Sequence, residues 1–322
     1  MYLDLEIIDF HTHFPTSKPW FTGMGPDTRQ QYLERRGERR AKIAREQAMA
    51  YSKEWRLTWG FDPPEQNPPD DATQAKRWAD EIDKYGLRAV GFVTGGGNDN
   101  LAEVISMYPD KFIGFAHNYP FADNAADELR RAITELGLKG YKLLAPNLDR
   151  AIEDEAAYPV WEVCAEYNIP VLIHFGIQGG GGGIAWHENI NPLKLHNVAK
   201  DFPDVNFVVP HFGCAWIRET LQLCWACANV SIDTCGSNQW VRWVDGDWTV
   251  KKLFRKYVET IGAERIIFGT DSSYFPRGFA VRYLEDQIRD CRELGLTDDQ
   301  LQAIFGGNAA RLFNIDLHAK QE

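Results

Sequence analysis

The chain has 322 residues, of which 44% are hydrophobic and 13% aromatic, so it can bury the core of one large α/β barrel or of two ordinary domains. Its formal net charge of -11 argues against nucleic-acid binding, because proteins that bind DNA or RNA usually carry basic surfaces. No apolar run approaches the ~18 residues of a membrane-spanning helix, and the start lacks a signal-peptide pattern. The six cysteines are sparse, which predicts reduced thiols in a cytoplasmic protein without membrane contact.

The first predicted strand, Ile7–Phe10, is followed directly by His11-Thr12-His13. In an extended chain, residues i and i+2 point to the same side, so both imidazoles can reach one metal ion just beyond the strand's C-terminal end. Neutral imidazole is a common ligand of zinc, iron and manganese. A lone His-x-His is a weak signal, so its interpretation depends on further ligands elsewhere in the chain.

Residues 14–71 are predicted to form a helical insertion that folds over the end of the first strand. A polar stretch rich in both charges predicts a helix over 27–55, which Asp27 or Thr28 can cap. The Pro- and Asp-rich loop 62–71 closes this segment. A solvated helical hairpin without a functional role is the alternative.

From residue 72 onward, predicted helices alternate with short apolar strands. With Ile7–Phe10 as the first, the predicted strands are Leu87–Thr94, Phe112–His117, Gly140–Leu144, Pro170–His174, Asn206–His211, Val230–Thr234 and Arg265–Asp271. The predicted helices are 72–85, 99–108, 123–137, 154–167, 192–201, 215–227, 249–261, 279–294 and 298–313.

Eight apolar strands that alternate with helices predict an α/β fold, the (β/α)8 TIM barrel, with residues 1–322 as a single domain and an extra C-terminal helix. A doubly wound sheet is the alternative. That fold usually brings a glycine-rich phosphate loop after an early strand, and neither G-x-G-x-x-G nor G-K-[ST] occurs in the sequence.

Polar residues occupy the predicted strand ends, which is where TIM barrels carry their active sites. They are His11, His13, His117, Lys142, His174, His211 and Asp271. Two histidines from one strand, a third histidine and an aspartate can hold one divalent ion and leave a coordination position open. Metal catalysis needs that open position for substrate or water. For each histidine taken alone, a buried hydrogen-bonded side chain is the alternative.

Several motifs together resemble the amidohydrolase superfamily, most closely the amidohydrolase-related branch that includes aminocarboxymuconate-semialdehyde decarboxylase. They are His11-Thr12-His13, Gly140-Tyr-Lys-Leu-Leu144, Pro170-Val-Leu-Ile-His174, His211, Phe268-Gly-Thr-Asp271 and Gly307-Asn308-Ala-Ala-Arg311-Leu-Phe313. The resemblance implies one metal ion, usually zinc and in some relatives manganese, with the ligands His11, His13, His174 and Asp271. It also implies that His211 is the acid/base group, so we expect catalysis to depend on His211 and Asp271.

Four further residues are candidates for substrate contacts. Lys142 pairs with substrate or an interior carboxylate, or is carboxylated and bridges two metals as in binuclear relatives; its Lys-Leu-Leu context favours the first. His117 lines the pocket or belongs to the core. Arg277 follows Asp271 in a loop that departs from the branch's usual Asp-Tyr-Pro, and it either holds a substrate carboxylate in a bidentate pair or lies on the surface. Trp186, after the glycine run 179–183, enters the pocket when that loop closes or packs on the surface.

Two reactions fit these residues. In non-oxidative decarboxylation, metal and His211 control protonation of the substrate carbon; in hydrolysis, His211 helps activate water for attack on an amide, lactone or other acyl carbon. The resemblance favours a carboxy-lyase that acts on a small carboxylate-bearing molecule, with a hydrolase as the alternative and a non-catalytic ligand-binding barrel as a remote one. We also expect zinc before manganese, and a homodimer.

Overall fold

Short strands and helices alternate along the chain. The computed structural model describes residues 5–18, 26–176, 187–236, 240–241 and 244–317, with only part of the side chains of the first helix. The strands are β1 (Ile7–Thr12), β2 (Leu87–Phe92), β3 (Phe112–Ala116), β4 (Gly140–Leu144), β5 (Val171–His174), β6 (Phe207–Val209), β7 (Val230–Asp233) and β8 (Ile266–Ile267). The helices are α1 (Pro26–Trp59), α2 (Asp71–Tyr85), α3 (Asn98–Ser106), α4 (Ala125–Thr134), α5 (Tyr158–Glu166), α6 (His196–Asp201), α7 (Ile217–Ala226), α8 (Val250–Ile261), α9 (Val281–Glu293), α10 (Asp298–Gln302) and α11 (Asn308–Phe313).

The eight strands form one parallel sheet in chain order. Its first and last strands meet as well, because the N–H of Phe10 donates to the carbonyl of Phe268 (3.1 Å) and Thr12 forms a parallel bridge with Ser272. The sheet is therefore closed on itself with helices outside. The predicted (β/α)8 TIM barrel is confirmed.

Helix α11 closes the barrel at the end where the strands begin. The ring of Phe313 stacks on Phe10 with centroids 5.0 Å apart and meets Phe115 edge-on at 5.5 Å. These rings belong to an inner cluster of buried residues that also contains Ile8, Ala89, Val93, Ile113, Leu172, Val208, Ile267, Ala309 and Ala310. Packing at this end leaves the opposite end, where the strands finish, for the polar residues.

The prediction of one continuous α-helix over 298–313 is wrong, because the structure has two short α-helices there with a different turn between them. Between α10 and α11 the residues Ala303–Gly307 form a π-helical turn. A Cβ atom on Gly306 would lie 1.8 Å from the carbonyl oxygen of Glu6, so only glycine lets this turn approach the start of β1. The side-chain amide of Asn308 then donates to the carbonyls of Ala263 and Ile266, both at 2.8 Å.

Five strands end earlier than the sequence predicts (β2, β3, β6, β7 and β8), and the physical causes are clearest at β6 and β8. Strand β6 ends at Val209 because Pro210 has no N–H, and the next residue, His211, has a φ of 60°. Strand β8 ends at Ile267 because the N–H of Phe268 donates to the carbonyl of Ile304 (2.9 Å) instead of to a strand. His211 and Asp271 therefore lie in turns beyond the strands.

Helices α1 and α2 separate β1 from β2. Helix α1 extends to Trp59, beyond the predicted 27–55, and is interrupted at Gly37, where φ is 70°. Helix α2 begins after Asp70, whose carboxylate accepts a hydrogen bond from the N–H of Thr73 at 2.8 Å. That residues 14–71 are an insertion into a single domain stays a prediction. In the ranges described above, no helix combines the length and apolar character needed to cross a membrane.

Candidate metal centre and active site

The polar residues singled out in the sequence lie at the C-terminal ends of the strands. His11 and His13 lie at the end of β1, His117 after β3, Lys142 on β4, His174 at the end of β5, His211 after β6 and Asp271 after the short β8. Five of these side chains form one contact cluster, which consists of His11, His13, His174, His211 and Asp271. His117 and Lys142 flank this cluster from strands β3 and β4.

His11, His13 and Asp271 present ligand-type atoms to one another. Nε2 of His13 lies 3.1 Å from Oδ1 of Asp271, and Nε2 of His11 lies 3.9 Å from the same oxygen. One ligand atom from each of the three residues lies within 4.8 Å of the others. His11 is fully buried, whereas His13 and Asp271 are partly exposed at the mouth. The three atoms surround a space that one cation can share.

The other nitrogen of each of these imidazoles is held by a neighbouring side chain. The Nδ1–H of His11 donates to Oδ2 of Asp233 at 2.8 Å, and Nδ1 of His13 lies 2.7 Å from the hydroxyl of Thr94. A carboxylate acceptor at Nδ1 fixes the tautomer in which Nε2 carries a lone pair. Burial lowers the pKa of His11 to about 4, so its imidazole is neutral near pH 7.

His174 and His211 are linked by a second hydrogen bond. Nδ1 of His174 lies 3.0 Å from Nε2 of His211, and Nδ1 of His211 lies 2.9 Å from the carbonyl of Cys235. Because that carbonyl can only accept, Nδ1 of His211 donates, Nε2 of His211 accepts, and Nε2 of His174 is left as a lone pair. Burial, together with the nearby His211 and Lys142, holds the pKa of His174 well below its usual range.

The backbone at Asp271 and Gly269 has an unusual conformation or an unusually close contact, and this places the carboxylate of Asp271 next to the histidines. Asp271 has a φ of 57°, a left-handed conformation that is uncommon for a residue other than glycine. Its carboxylate stays charged, because the hydrogen bond from His13 and the surrounding histidines outweigh burial and hold the pKa of Asp271 well below its usual range. A Cβ atom on Gly269 would lie 3.0 Å from the Cβ of His11 and 3.1 Å from that of Cys235, so glycine allows this close approach.

Asp9, under the cluster, joins β1 to the segment after β8. Its carboxylate is fully buried and accepts hydrogen bonds from the hydroxyl (2.5 Å) and N–H (3.0 Å) of Thr270. Burial raises the pKa of Asp9 to about 7. This contact fixes Thr270, and hence the neighbouring Asp271, relative to the histidines of β1.

Two residues of the site, Asp233 and Cys235, escaped the sequence reasoning. Besides holding His11, Asp233 accepts from the backbone N–H groups of His211 (2.9 Å) and Cys235 (3.1 Å) through Oδ1. Sγ of Cys235 lies 3.0 Å from Nδ1 of both His11 and His211. A usable signal existed, because Asp233 is the last residue but one of predicted strand seven, and every strand end of a TIM barrel faces the same mouth.

Lys142 and His117 occupy the β3–β4 side of the site. Lys142 is 1% exposed, and burial lowers its pKa to about 8 although the negative charges of Asp233 and Asp271 favour the ammonium form. Nδ1 of His117 lies 2.8 Å from the carbonyl of Lys142, which orients its ring between β3 and β4. His117 is thus a hydrogen-bonded, buried side chain at the edge of the cluster.

Arg277 has different contacts from those that the sequence suggested. Its Nη1 donates to the carbonyl of Asp271 (3.0 Å) and its Nη2 to the carbonyl of Thr270 (3.2 Å). The guanidinium is therefore engaged with the backbone behind Asp271, which speaks against its predicted role of holding a substrate carboxylate. Trp186 and the glycine run 179–183 lie outside the described residues, so the expectation for them stays a prediction.

A divalent cation fits this arrangement. Nε2 of His174 is buried and lacks a hydrogen-bond partner among the residues that the structure describes, which is costly for a polar atom unless something binds it. Three imidazoles and one carboxylate are donors that zinc, manganese and iron accept. A second group of donors, formed by His11, Asp233 and Cys235, is also compact, but in it the Nδ1–H of His11 is already used by Asp233.

Comparison with known proteins identifies a matching family and two similar proteins. A family model described as Amidohydrolase matches residues 8–315. A 2-keto-4-carboxy-3-hexenedioate hydratase from Sphingobium sp. is 28% identical over 256 residues, which cover 67% of this chain and 70% of that protein. A 2-amino-3-carboxymuconate-6-semialdehyde decarboxylase from Dictyostelium discoideum is 34% identical over 79 residues, 24% of this chain and 22% of that protein.

A solved structure shares the fold. The 5-carboxyvanillate decarboxylase from Novosphingobium aromaticivorans, crystallised with bound manganese and 3-methoxy-4-hydroxy-5-nitrobenzoic acid, aligns with a TM-score of 0.61. The sequences are 16% identical, and the alignment covers 97% of this chain and 98% of that one. At this identity the likeness shows the barrel and leaves the reaction to be argued from the site.

Proposed function

This chain belongs to the amidohydrolase family of enzymes, and we propose that it is a metal-dependent carboxy-lyase. Its reaction is the non-oxidative removal of CO2 from a small carboxylate-bearing molecule. The observation that carries the proposal is the buried Nε2 of His174, which has no hydrogen-bond partner among the residues that the structure describes. His174 is linked through His211 to the donor group of His11, His13 and Asp271. Two of the similar proteins are decarboxylases of carboxylated substrates, which supports the same reaction class here.

The proposed metal ligands are Nε2 of His11, His13 and His174 and the carboxylate of Asp271. Members of the family bind a divalent metal, and the finer choice is zinc first, because three imidazoles with one carboxylate suit it well. Manganese is the second candidate, since a structural neighbour holds it. When bound, the cation supplies positive charge that polarises a substrate oxygen and stabilises negative charge on the substrate.

His211 is the proposed proton carrier. Its Nδ1–H is held by the carbonyl of Cys235, so Nε2 is the atom that takes up and releases the proton, after the hydrogen bond that it accepts from Nδ1–H of His174 has opened. In decarboxylation, protonated His211 delivers the proton from Nε2 to the unsaturated carbon that bears the carboxylate. The bond between this carbon and the carboxylate then breaks, its electron pair restores the double bond of the substrate, and CO2 leaves. Solvent reprotonates His211.

Lys142 is the proposed partner of a substrate oxygen or carboxylate. It is a buried cation whose charge interacts with Asp233 and Asp271, and it comes from the strand opposite β8 in the barrel. The guanidinium of Arg277 already donates to two backbone carbonyls, so the proposal gives it no substrate contact. An ammonium group in a site of low polarity attracts an anionic substrate more strongly than one at the surface.

Hydration of a carbon–carbon double bond is a second candidate. The relative that matches the larger part of this chain is a hydratase of an unsaturated keto acid. The same residues serve this reaction, with His211 assisting the addition of water instead of protonating a carboxylate-bearing carbon. Hydrolysis of a lactone or amide is the third reaction that the site could support.

The test offers the metal-loaded protein a panel of 2-hydroxybenzoate-type acids, muconate-type acids, unsaturated keto acids and lactones. Release of CO2, with deuterium at the vacated carbon when the solvent is D2O, supports the carboxy-lyase. Addition of water without CO2 assigns the hydratase, and ring opening assigns the hydrolase; either result overturns decarboxylation. We expect His211→Asn to lower kcat by about 100-fold or more with its metal retained. His196→Asn, at a partly buried histidine that begins α6, should leave kcat unchanged. Full activity in a His11→Ala variant that has lost its metal would contradict the proposed metal-dependent mechanism.

A further inference from the structure

One side chain, that of Arg277, donates hydrogen bonds to the two carbonyl groups that flank the Cα atom of Asp271. Arg277 donates from Nη1 to the carbonyl of Asp271 at 3.0 Å and from Nη2 to that of Thr270 at 3.2 Å. Asp271 needs such support, because its φ of 57° is unfavourable for a side chain with a Cβ. The planar fork of an arginine suits two adjacent acceptors, which a lysine ammonium cannot reproduce.

Four aromatic rings surround the guanidinium of Arg277, and we call them the aromatic cage. Its carbon lies 4.6 Å from the ring centre of Phe61, 5.3 Å from Trp55, 5.7 Å from Tyr283 and 6.0 Å from Tyr274. Aromatic faces attract a cation, so the rings hold the guanidinium in place while its N–H groups point to the backbone. The aromatic cage therefore limits the movement of the Arg277 side chain, and Arg277 in turn limits the movement of the backbone at Asp271.

The walls of the cage come from two distant parts of the chain. Tyr274 lies in the loop after β8 and Tyr283 in α9, whereas Trp55 lies in the last turns of α1 and Phe61 just after it. Hydrogen bonds to backbone carbonyls join the two parts. The hydroxyl of Tyr274 donates to the carbonyl of Asp62 at 3.1 Å, and the N–H of Glu65 donates to the carbonyl of Phe275 at 3.2 Å.

We propose that Arg277 is a positioning residue for the carboxylate of Asp271, and that the segment 55–65 sets the metal affinity of the site through the aromatic cage. This inference rests on the proposed role of Asp271 as a metal ligand. It gives the end of the predicted insertion a function: its rings hold Arg277, and Arg277 holds the backbone that aims the carboxylate at the histidines of β1.

The first experiment compares two arginines of the same region. Arg277→Lys keeps the charge and removes the fork, while Arg282→Lys alters an arginine that donates to the carbonyl of Trp59 (3.0 Å), outside the aromatic cage. Affinity for Zn²⁺ and for Mn²⁺ is measured without substrate, in competition with a chromophoric chelator. We expect Arg277→Lys to bind both ions about tenfold more weakly or worse, and Arg282→Lys to stay within about twofold of the unaltered protein.

The second experiment tests the insertion through Phe61, whose ring lies against the guanidinium of Arg277 and the rings of Trp55 and Tyr283. Phe61→Ala should weaken metal binding by several-fold, and Phe61→Tyr, which keeps a ring over the guanidinium, should restore it. Equal metal affinity in the unaltered protein and Arg277→Lys, or equal loss in both arginine variants, would overturn the role of Arg277. Unchanged affinity in Phe61→Ala would overturn the role of the segment 55–65.

The unfolding midpoint of each metal-free variant shows whether a loss of affinity merely follows general loosening. A loss of affinity that scales with the drop in this midpoint across all four variants counts against the proposal. Asp271→Asn distinguishes a failure of the proposed metal site from a failure of the proposed positioning role of Arg277. If it binds metal like the unaltered protein, the proposed metal site is wrong; if it loses metal while Arg277→Lys does not, only the positioning role fails.

Discussion

Asp233 connects the two halves of the proposed site. One of its oxygens accepts from the ring of His11, and the other accepts from the backbone N–H of His211. Burial alone would raise the pKa of Asp233, but its electrostatic interaction and hydrogen bond with the ring of His11 outweigh burial and hold that pKa well below the usual range. A carboxylate that remains charged in this position fixes the tautomer of a metal-ligating imidazole and strengthens its ligand nitrogen.

Replacement of Asp233 by asparagine tests this role. The amide keeps the size of the carboxylate but offers one acceptor instead of two, so either His11 or the backbone of His211 loses its partner. We expect metal affinity to fall about 10- to 100-fold, as for other carboxylates that support a ligating histidine. Competition with a chelator measures it, and Asp201→Asn, at an exposed carboxylate bonded to Tyr158, is the control that should bind metal normally. Unchanged affinity in Asp233→Asn would refute the role.

Lys142 gives a prediction about stability and pH. Burial lowers its pKa from 10.5 to about 8, so between these values the unfolded chain binds more protons than the native one. The free energy of unfolding must therefore rise with pH across that window, and below about pH 8 the native state carries the full cost of the buried ammonium group, on the order of 3 kcal/mol.

Lys142→Met removes that cost, so the metal-free variant should be more stable than the metal-free parent at pH 7. The difference should shrink as the pH rises from 8 to 10, because the parent then loses the proton. Urea unfolding at several pH values measures both effects, and all other titrating groups are common to the two proteins. A less stable Lys142→Met at pH 7 would show that Lys142 stabilises its surroundings instead.

At the scale of elements, apolar pattern and length predicted the strands well and their ends poorly. Strand β4 runs over Gly140–Leu144 as predicted, because consecutive apolar residues between two helices leave little choice. Strand β8 stops short because of a long-range feature, since the N–H of Phe268 donates to the carbonyl of Ile304. Strand β6 stops at Pro210, which the sequence does display, but the left-handed His211 that follows is held by a hydrogen bond to the distant Asp233. A single sequence does not display such partners.

Helix α11 carries an element-level prediction through Phe313. Its ring is buried against Phe10 and Phe115 inside the barrel, so Phe313→Ala should lower the free energy of unfolding by about 3 to 5 kcal/mol. Leu312→Ala is the matched control, since Leu312 is only partly buried and packs at the margin of the same cluster. Chemical denaturation compares them, and equal losses in the two variants would contradict the view that α11 closes the barrel through Phe313.

For the whole molecule, the sequence predicted the site through its fold. A His-x-His pair means little alone, but eight strands in a closed barrel bring every strand end to one mouth, and this brings together residues up to 260 positions apart, such as His11 and Asp271. What the sequence could not show is orientation. The guanidinium of Arg277 donates to the backbone of Thr270 and Asp271. Asp233 supports two histidines. Both arrangements depend on side-chain packing between distant segments.

The central claim is that one divalent ion lies among His11, His13, His174 and Asp271. X-ray data from metal-loaded crystals, collected at the absorption edge of zinc or manganese, locate that ion directly. We predict a single anomalous peak about 2.0 to 2.2 Å from the three Nε2 atoms and from a carboxylate oxygen of Asp271. A peak on the Nδ1 side of His11, between Asp233 and Cys235, or the lack of any peak at the mouth of the barrel would contradict the claim.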